Sequence, residues 1–317
     1  MIAGSVFHSL LINNSWGQWQ MLNFKNSKKI IILFLMPALA FYLCLEIYPA
    51  FRGIFLSFYK WKGIGGSEFK FYGLNNYFEV FKDPVFLLSI RNLMRFLIVS
   101  LITQLPIALL IGYLLSLGLK GTRFFKITFY LPMILSVTAI SLLWKLILAA
   151  NYGLLNSILT SVGLEGLTKA WLTDPSTSFN SIILINSWIH VGFYMVILLA
   201  AILGIPEDIF EALKLDGANG VVVFFKIIIP LVREMIGVCI VLIMTQTMKT
   251  FDLIYVLTSG TFGPNDINQV PIGLMYYKSF IGDNFGNGSA ISTLVLIFGV
   301  TISAIVYMKV FKENTSN

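Results

Sequence analysis

Six stretches of the chain, about residues 30–48, 96–117, 127–144, 182–203, 235–257 and 290–308, are almost unbroken runs of apolar side chains. Each is close to the roughly 20 residues that a helix needs to cross the hydrocarbon layer of a bilayer. The pattern predicts an all-α membrane protein with six transmembrane helices. Pro106 and Gly112 fall inside the second run and Pro132 near the start of the third. Membrane helices tolerate such breakers where neighbouring groups satisfy the freed carbonyls. Between the runs, residues 59–91 are polar and aromatic, a weakly polar connector reaches about Ser178, and residues 258–285 carry Gly, Pro, Asn and Asp turn signals.

The long polar interruption in the more hydrophobic half is residues 205–230, IPEDIFEALKLDGANGVVVFFKIIIP. Pro206 suits the first turn of a helix, and Glu207 and Asp208 complement the positive helix N-terminus. Ile209, Ala212 and Leu213 are spaced for one apolar stripe. Asp216-Gly217 is a stop signal, because glycine accepts the left-handed backbone that closes many helices. A short amphipathic helix therefore leads through a bend into a second, apolar helix at the membrane surface. The plain alternative is a polar connector that meets no partner.

Composition sharpens the class. The 317 residues are 57% hydrophobic and 12% charged, with a mean hydropathy of +0.84; a soluble domain carries roughly 25% charged residues. The net charge of +7 is scattered around the spans rather than gathered in a patch, which argues for lipid head groups and against nucleic acid. With six spans both termini share a side. That side holds Lys25, Lys28, Lys29, Lys120, Arg123, Lys126, Lys214, Lys226, Arg233, Lys309 and Lys312, against seven basic residues on the other, five of them in one long loop. The positive-inside rule makes the richer side, with both termini and loop 205–230, cytoplasmic. Cys44 and Cys239 each lie in an apolar run and read as small core hydrophobes rather than a disulfide or metal pair. Residues 1–24 lack an apolar run long enough for a signal sequence; Met21 is the expected translation start, and His8 receives no role.

Loop 205–230 has a further property. Glu211-Ala212, Gly217 six residues after the Glu, and Ile227-x-Ile229-Pro230 resemble the EAA loop of ABC-importer permeases. Leu213 replaces that motif's second Ala and Ile229 its Leu, both staying apolar. Asp216-Gly217-Ala218-Asn219 is similar to the sugar-transporter branch. Three other phrases are similar to sugar permeases: Gly73-Leu74-Asn75-Asn76-Tyr77, the run KTFDLIYVLTSG at residues 249–260, and Phe285-Gly286-x-Gly288-Ser289-Ala290-Ile291-Ser292. The turn at Ser259–Pro264 is less glycine-rich than in that family.

Candidate chemistry is sparse. A G-x-x-x-x-G-K-[ST] phosphate cradle is missing, and with His190 the one histidine beyond His8 there is little for a metal cluster or a Ser-His-Asp constellation. No catalytic or metal-binding residue is assigned. Polar residues inside spans are costly in lipid and usually face a bundle interior or cavity. The fourth run carries Asn186, Trp188, His190 and Tyr194, with Asn186, His190 and Tyr194 four residues apart on one expected face. The fifth carries Gln246, Lys249 and Asp252 at intervals of three, with an intrahelical Lys249–Asp252 ion pair expected. These seven are either interhelical glue or a polar translocation path, with Trp188 or Tyr194 stacking on a sugar ring. Glu46, Arg95 and Lys145 are expected to snorkel to the interface.

The resemblance implies a subunit of a bacterial plasma-membrane importer for sugars or oligosaccharides. Residues 1–29 would be a cytoplasmic segment, 30–311 a six-span permease domain with a cytoplasmic EAA coupling helix, and 312–317 a cytoplasmic tail. Implied partners are a second, similar permease, two ATPase subunits that use ATP and Mg, and an extracytoplasmic solute-binding protein; this chain itself would bind no cofactor. Glu207, Glu211, Ala212, Asp216 and Gly217 would couple it to the ATPases. An EAA-type permease for glycerol phosphate, a polyamine or an amino acid, and an ion-coupled secondary transporter, remain as alternatives.

Overall fold

The computed structural model describes residues 24–63, 65 and 67–311. Met21, His8 and the tail at 312–317 lie outside the described residues. The chain divides into two compact units, Met1–Arg52 and Gly53–Asn317. The first holds helix α1 (Phe24–Tyr42), with Pro37 inside it, and a π-helical turn at Leu43–Ile47. Helix α2 (Tyr48–Leu56) follows. Ile31–Leu56 together is long and apolar enough to cross a membrane, so this span extends beyond residue 48. Cys44 on it is exposed rather than a core residue, while Cys239 is buried; neither forms a disulfide.

The second unit opens with a two-stranded antiparallel hairpin, β1 (Tyr59–Lys60) on β2 (Lys70–Phe71), and helix α3 (Asn75–Lys82). The buried Asn76 amide ties α3 to this hairpin, donating to the carbonyls of Ser57 at 2.8 Å and Tyr59 at 2.9 Å. Helix α4 runs Pro84–Ser116, starting well before residue 96. Its start is locally encoded: Pro84 occupies the first turn and the Asp83 carboxylate accepts the Val85 amide at 2.9 Å. Polar residues that made residues 84–95 read as loop find partners on other elements. Asn92 donates to the Ile267 and Gln269 carbonyls, each at 2.9 Å. Arg95 does not snorkel freely: its guanidinium donates to Asn180 Oδ1 at 2.8 Å and lies over the Phe179 ring.

Two expected spans are bent. The third is α5 (Thr122–Ile134) and α6 (Val137–Ile147), meeting at 99° because Leu135 and Ser136 are extended, with ψ of 152° and 128°. The fifth begins earlier than residue 235, as α10 (Gly220–Leu231) and α11 (Arg233–Lys249) at 74°. It stops at Thr250, whose ψ of 102° separates α11 from α12 (Asp252–Leu257). Helix α7 (Leu154–Ser161) lies in the connector after α6. Helix α8 (Ser178–Leu203) and helix α14 (Phe285–Phe311) are continuous. The short helices α9 (Glu207–Leu215) and α13 (Pro271–Tyr276) complete the set. Among the described residues four helical stretches and two bent pairs are long and apolar enough to cross a membrane, six spans when each bent pair counts as one.

Helix α8 is the hub. One core packs Tyr194, Met195 and Leu198 of α8 against Leu109 of α4, Ile228 of α10 and Ile243 of α11. A second packs its Ile182 and Ile183 against Phe96 of α4, Ile140 of α6 and Ile254 of α12. Lipid is as apolar as these side chains, so close packing supplies most of the cohesion. Gly192 shows how close: a Cβ there would lie 1.9 Å from the Phe129 carbonyl oxygen of α5.

Candidate functional site

Loop 205–230 folds much as its spacing implies. Helix α9 ends in a Schellman cap, in which the Ala218 amide donates to the Leu213 carbonyl at 3.1 Å across Gly217 at φ +63°. Asn219 then caps the next helix, its side chain accepting the Val221 amide at 3.1 Å. The Tyr113 hydroxyl of α4 donates to the Gly220 carbonyl at 3.2 Å, fixing the bend against the bundle. The inward stripe differs from the expected one. Phe210 and Leu213 pack on the core with Ile205 and Ala218, whereas Ala212 is exposed. Asp208, Glu211, Ala212 and Leu215, at helical spacing, form the outward face. Leu215 is 89% exposed. Sequence reasoning passed over it; a leucine beside the Asp-Gly stop, out of step with the inward stripe, was the available signal. Glu207, Glu211, Asp216 and Gly217 are exposed as well.

The second place is a cavity of about 60 Å³ where the two bent spans meet α8. Asn186, His190, Gln246, Lys249 and Asp252, expected from separate helices, all line it. Val137, at the break in the third span, and Thr250 and Phe251, at the break after α11, join them. Sequence reasoning missed Val137 and Phe251, because only the helix breaks bring them there. Asn186 and His190 are buried, while Gln246, Lys249 and Asp252 are exposed. His190 Nδ1 sits 2.8 Å from the Asn186 carbonyl oxygen; a carbonyl only accepts, so Nδ1 carries a proton. Asn186 Oδ1 is buried and accepts no hydrogen bond from the described residues, which leaves it open to a donor that enters the cavity.

The expected row Gln246–Lys249–Asp252 does not form as one helical face, and no Lys249–Asp252 ion pair joins it. The backbone leaves the helix at Thr250, so Asp252 starts a new one. Trp188 and Tyr194 stay outside the cavity. Trp188 is 46% exposed and meets Trp144 edge to face at 5.5 Å. Tyr194 is 1% exposed in the first core. Glu46 lies within the π-helical turn of the first span, and Lys145 donates to the Ser259 hydroxyl.

No family model matches the chain. It is 38% identical to the probable ABC transporter permease protein YurN of Bacillus subtilis (strain 168), covering 90% of this chain and 98% of that one. It is 35% identical to the alpha-glucoside transport system permease protein AglF of Rhizobium meliloti (strain 1021), covering 85% and 79% of the two chains. A chain of the crystal structure of a bacterial ABC transporter involved in the import of the acidic polysaccharide alginate superposes with a TM-score of 0.78. The match has 21% identity and covers 91% of this chain and 98% of that one. A chain of the crystal structure of bacterial alginate ABC transporter in complex with alginate pentasaccharide-bound periplasmic protein matches with a TM-score of 0.77 at 21% identity, covering 90% and 96% of the two chains.

Proposed function

Because the chain belongs to the permease subunits of ABC transporters, we propose that it is one of two such subunits in a bacterial importer of sugars or oligosaccharides. It is a transporter subunit and not an enzyme; ATP and Mg serve two separate ATPase subunits on the cytoplasmic side. Both termini and loop 205–230 face the cytoplasm of the plasma membrane, and a solute-binding protein delivers cargo from outside. Membership removes the ion-coupled carrier. The sugar assignment draws support from relatives whose names specify alpha-glucoside and lactose transport.

The observation that carries the reading is the unpaired Asn186 Oδ1 in a polar cavity built from two broken spans. A sugar hydroxyl entering there satisfies that acceptor, with His190, Gln246, Lys249 and Asp252 around it. At about 60 Å³ the cavity is far below the several hundred Å³ of small-molecule sites. Cargo therefore passes only when the broken spans separate. ATP binding supplies that change through the outward face of α9: Glu207, Glu211 and Asp216 offer charge, Ala212 and Leu215 apolar contact, and Gly217 the fixed bend. Only contacts that differ between the two ATPase states shift the spans.

The test is uptake by the reconstituted complex with its binding protein and a panel of saccharides. Asn186→Leu removes a buried unpaired acceptor at nearly constant volume, so folding holds or improves. Loss of a hydrogen bond worth about 0.5–1.5 kcal/mol lowers uptake about two- to tenfold. Wild-type uptake by a folded Asn186→Leu variant would remove Asn186 from the path.

A further inference from the structure

A second cavity, of about 500 Å³, lies at the ends of α6 and α12 and is built differently from the central one. Its polar wall is Lys145, Asn151, Thr173, Thr258, Ser259 and Thr261, set over an apolar floor. The volume falls within the range of small-molecule sites. Lys145 Nζ donates to the Ser259 hydroxyl, and no carboxylate of the described residues pairs with it. A neutral hydroxyl leaves the ammonium charge uncompensated.

The backbone around the cation is held in an uncommon state. Ser259 has φ +56°, a left-handed conformation that costs an L-residue about 1–2 kcal/mol. This φ closes the cap of α12, in which the Gly260 amide donates to the Tyr255 carbonyl at 2.7 Å and the Ser259 amide to the Val256 carbonyl at 3.2 Å. Here the turn sets the Ser259 hydroxyl on the Lys145 ammonium, while the Thr258 and Thr261 hydroxyls on the same wall donate to the Ile254 and Thr258 carbonyls. A lysine that snorkels extends to open water; this one is turned onto a concave polar wall.

We propose that this cavity is an anion site, in which the Lys145 ammonium, the Ser259 hydroxyl proton and the Asn151 amide take a carboxylate or phosphate monoester group. That group belongs to a free solute or to a lipid head group, and the chemistry of recognition is the same. A single cation with two neutral donors suits one anionic group on an otherwise hydroxylated molecule. The position on the outer face rests on the orientation proposed above; the anion site does not.

The deciding measurement uses the wild-type complex in nanodiscs, in a buffer without phosphate, so its outcome does not depend on the folding of a variant. A membrane-impermeant amine-acylating reagent modifies lysines, and peptide mass spectrometry reads the rate at each one. In phosphatidylcholine discs, inorganic phosphate or glucuronate at ten times its apparent Kd slows Lys145 acylation about tenfold by mass action. The exposed Lys169 stays at its own rate, and glucose protects neither. In discs with phosphatidylglycerol, protection of Lys145 without added anion assigns the site to lipid head groups. Ser259→Gly, which relieves the positive φ while removing the hydroxyl, weakens the protection several-fold. Lys145 acylation unaffected by every anion and both lipids, or slowed equally by glucose, overturns the proposal. No transport is measured, so this outcome is separate from failure of the importer reading.

Discussion

Gly217 gives a direct test of the proposed coupling role of loop 205–230. Its φ of +63° closes the cap of α9, and a Cβ there would find nothing within 4 Å. The requirement is therefore conformational and not steric. Gly217→Ala costs about 1–2 kcal/mol for the left-handed backbone, which lowers the ratio of capped to uncapped loop about 5- to 30-fold. Gly217→Asn costs less, since asparagine visits that region more readily. Gly217→Pro abolishes the cap, because proline fixes φ near −65°. The readouts are binding-protein-stimulated ATP hydrolysis and uptake by the reconstituted complex, with thermal unfolding of the membrane domain as control. Coupling, as solute moved per ATP, should fall in the order Gly, Asn, Ala, Pro while the unfolding temperature of the bundle stays nearly constant. Equal coupling in the Ala and Pro variants, or a bundle that unfolds before coupling is lost, would refute the reasoning.

Two further outcomes follow from contacts in the bundle and above it. Gly192→Ala places a Cβ 1.9 Å from the backbone oxygen of Phe129, so α5 and α8 separate at a cost of about 1–3 kcal/mol. Gly112→Ala, whose nearest backbone atom is 3.3 Å away, should lower Tm much less, and equal Tm shifts would contradict the close crossing. Outside the spans, Asp83 Oδ2 meets Lys278 Nζ at 2.7 Å. Burial by itself raises the Asp83 carboxyl, but the Lys278 ammonium and the Val85 amide outweigh it and hold it below its ordinary value. A depressed folded pKa contributes stability above the unfolded value that is lost as pH falls through the folded one. Acid unfolding below about pH 4 should therefore flatten in Asp83→Asn, and an unchanged pH slope there would count against the pair.

The sequence by itself determined the features that depend on length, composition and local geometry. Six apolar runs sufficed for six spans, because crossing a bilayer asks only for enough apolar residues in a row. The α9 cap was legible for the same kind of reason: Asp216-Gly217 closes it through bonds between residues a few positions apart. Tertiary structure decided the cavity. Nothing in residues 127–144 marks Leu135 and Ser136 as extended, and nothing in 235–257 marks the stop at Thr250; both breaks are held by packing. They carry Val137, Phe251 and Asp252 to Asn186 and His190. On α8, burial on most sides erased the periodicity that would have marked one face. Two residues further on, Trp188 lies about 200° round the helix from Asn186, and by Tyr194 the row has drifted about 80°. The first went to the Trp144 side and the second into the core, placements that only the neighbours of α8 define.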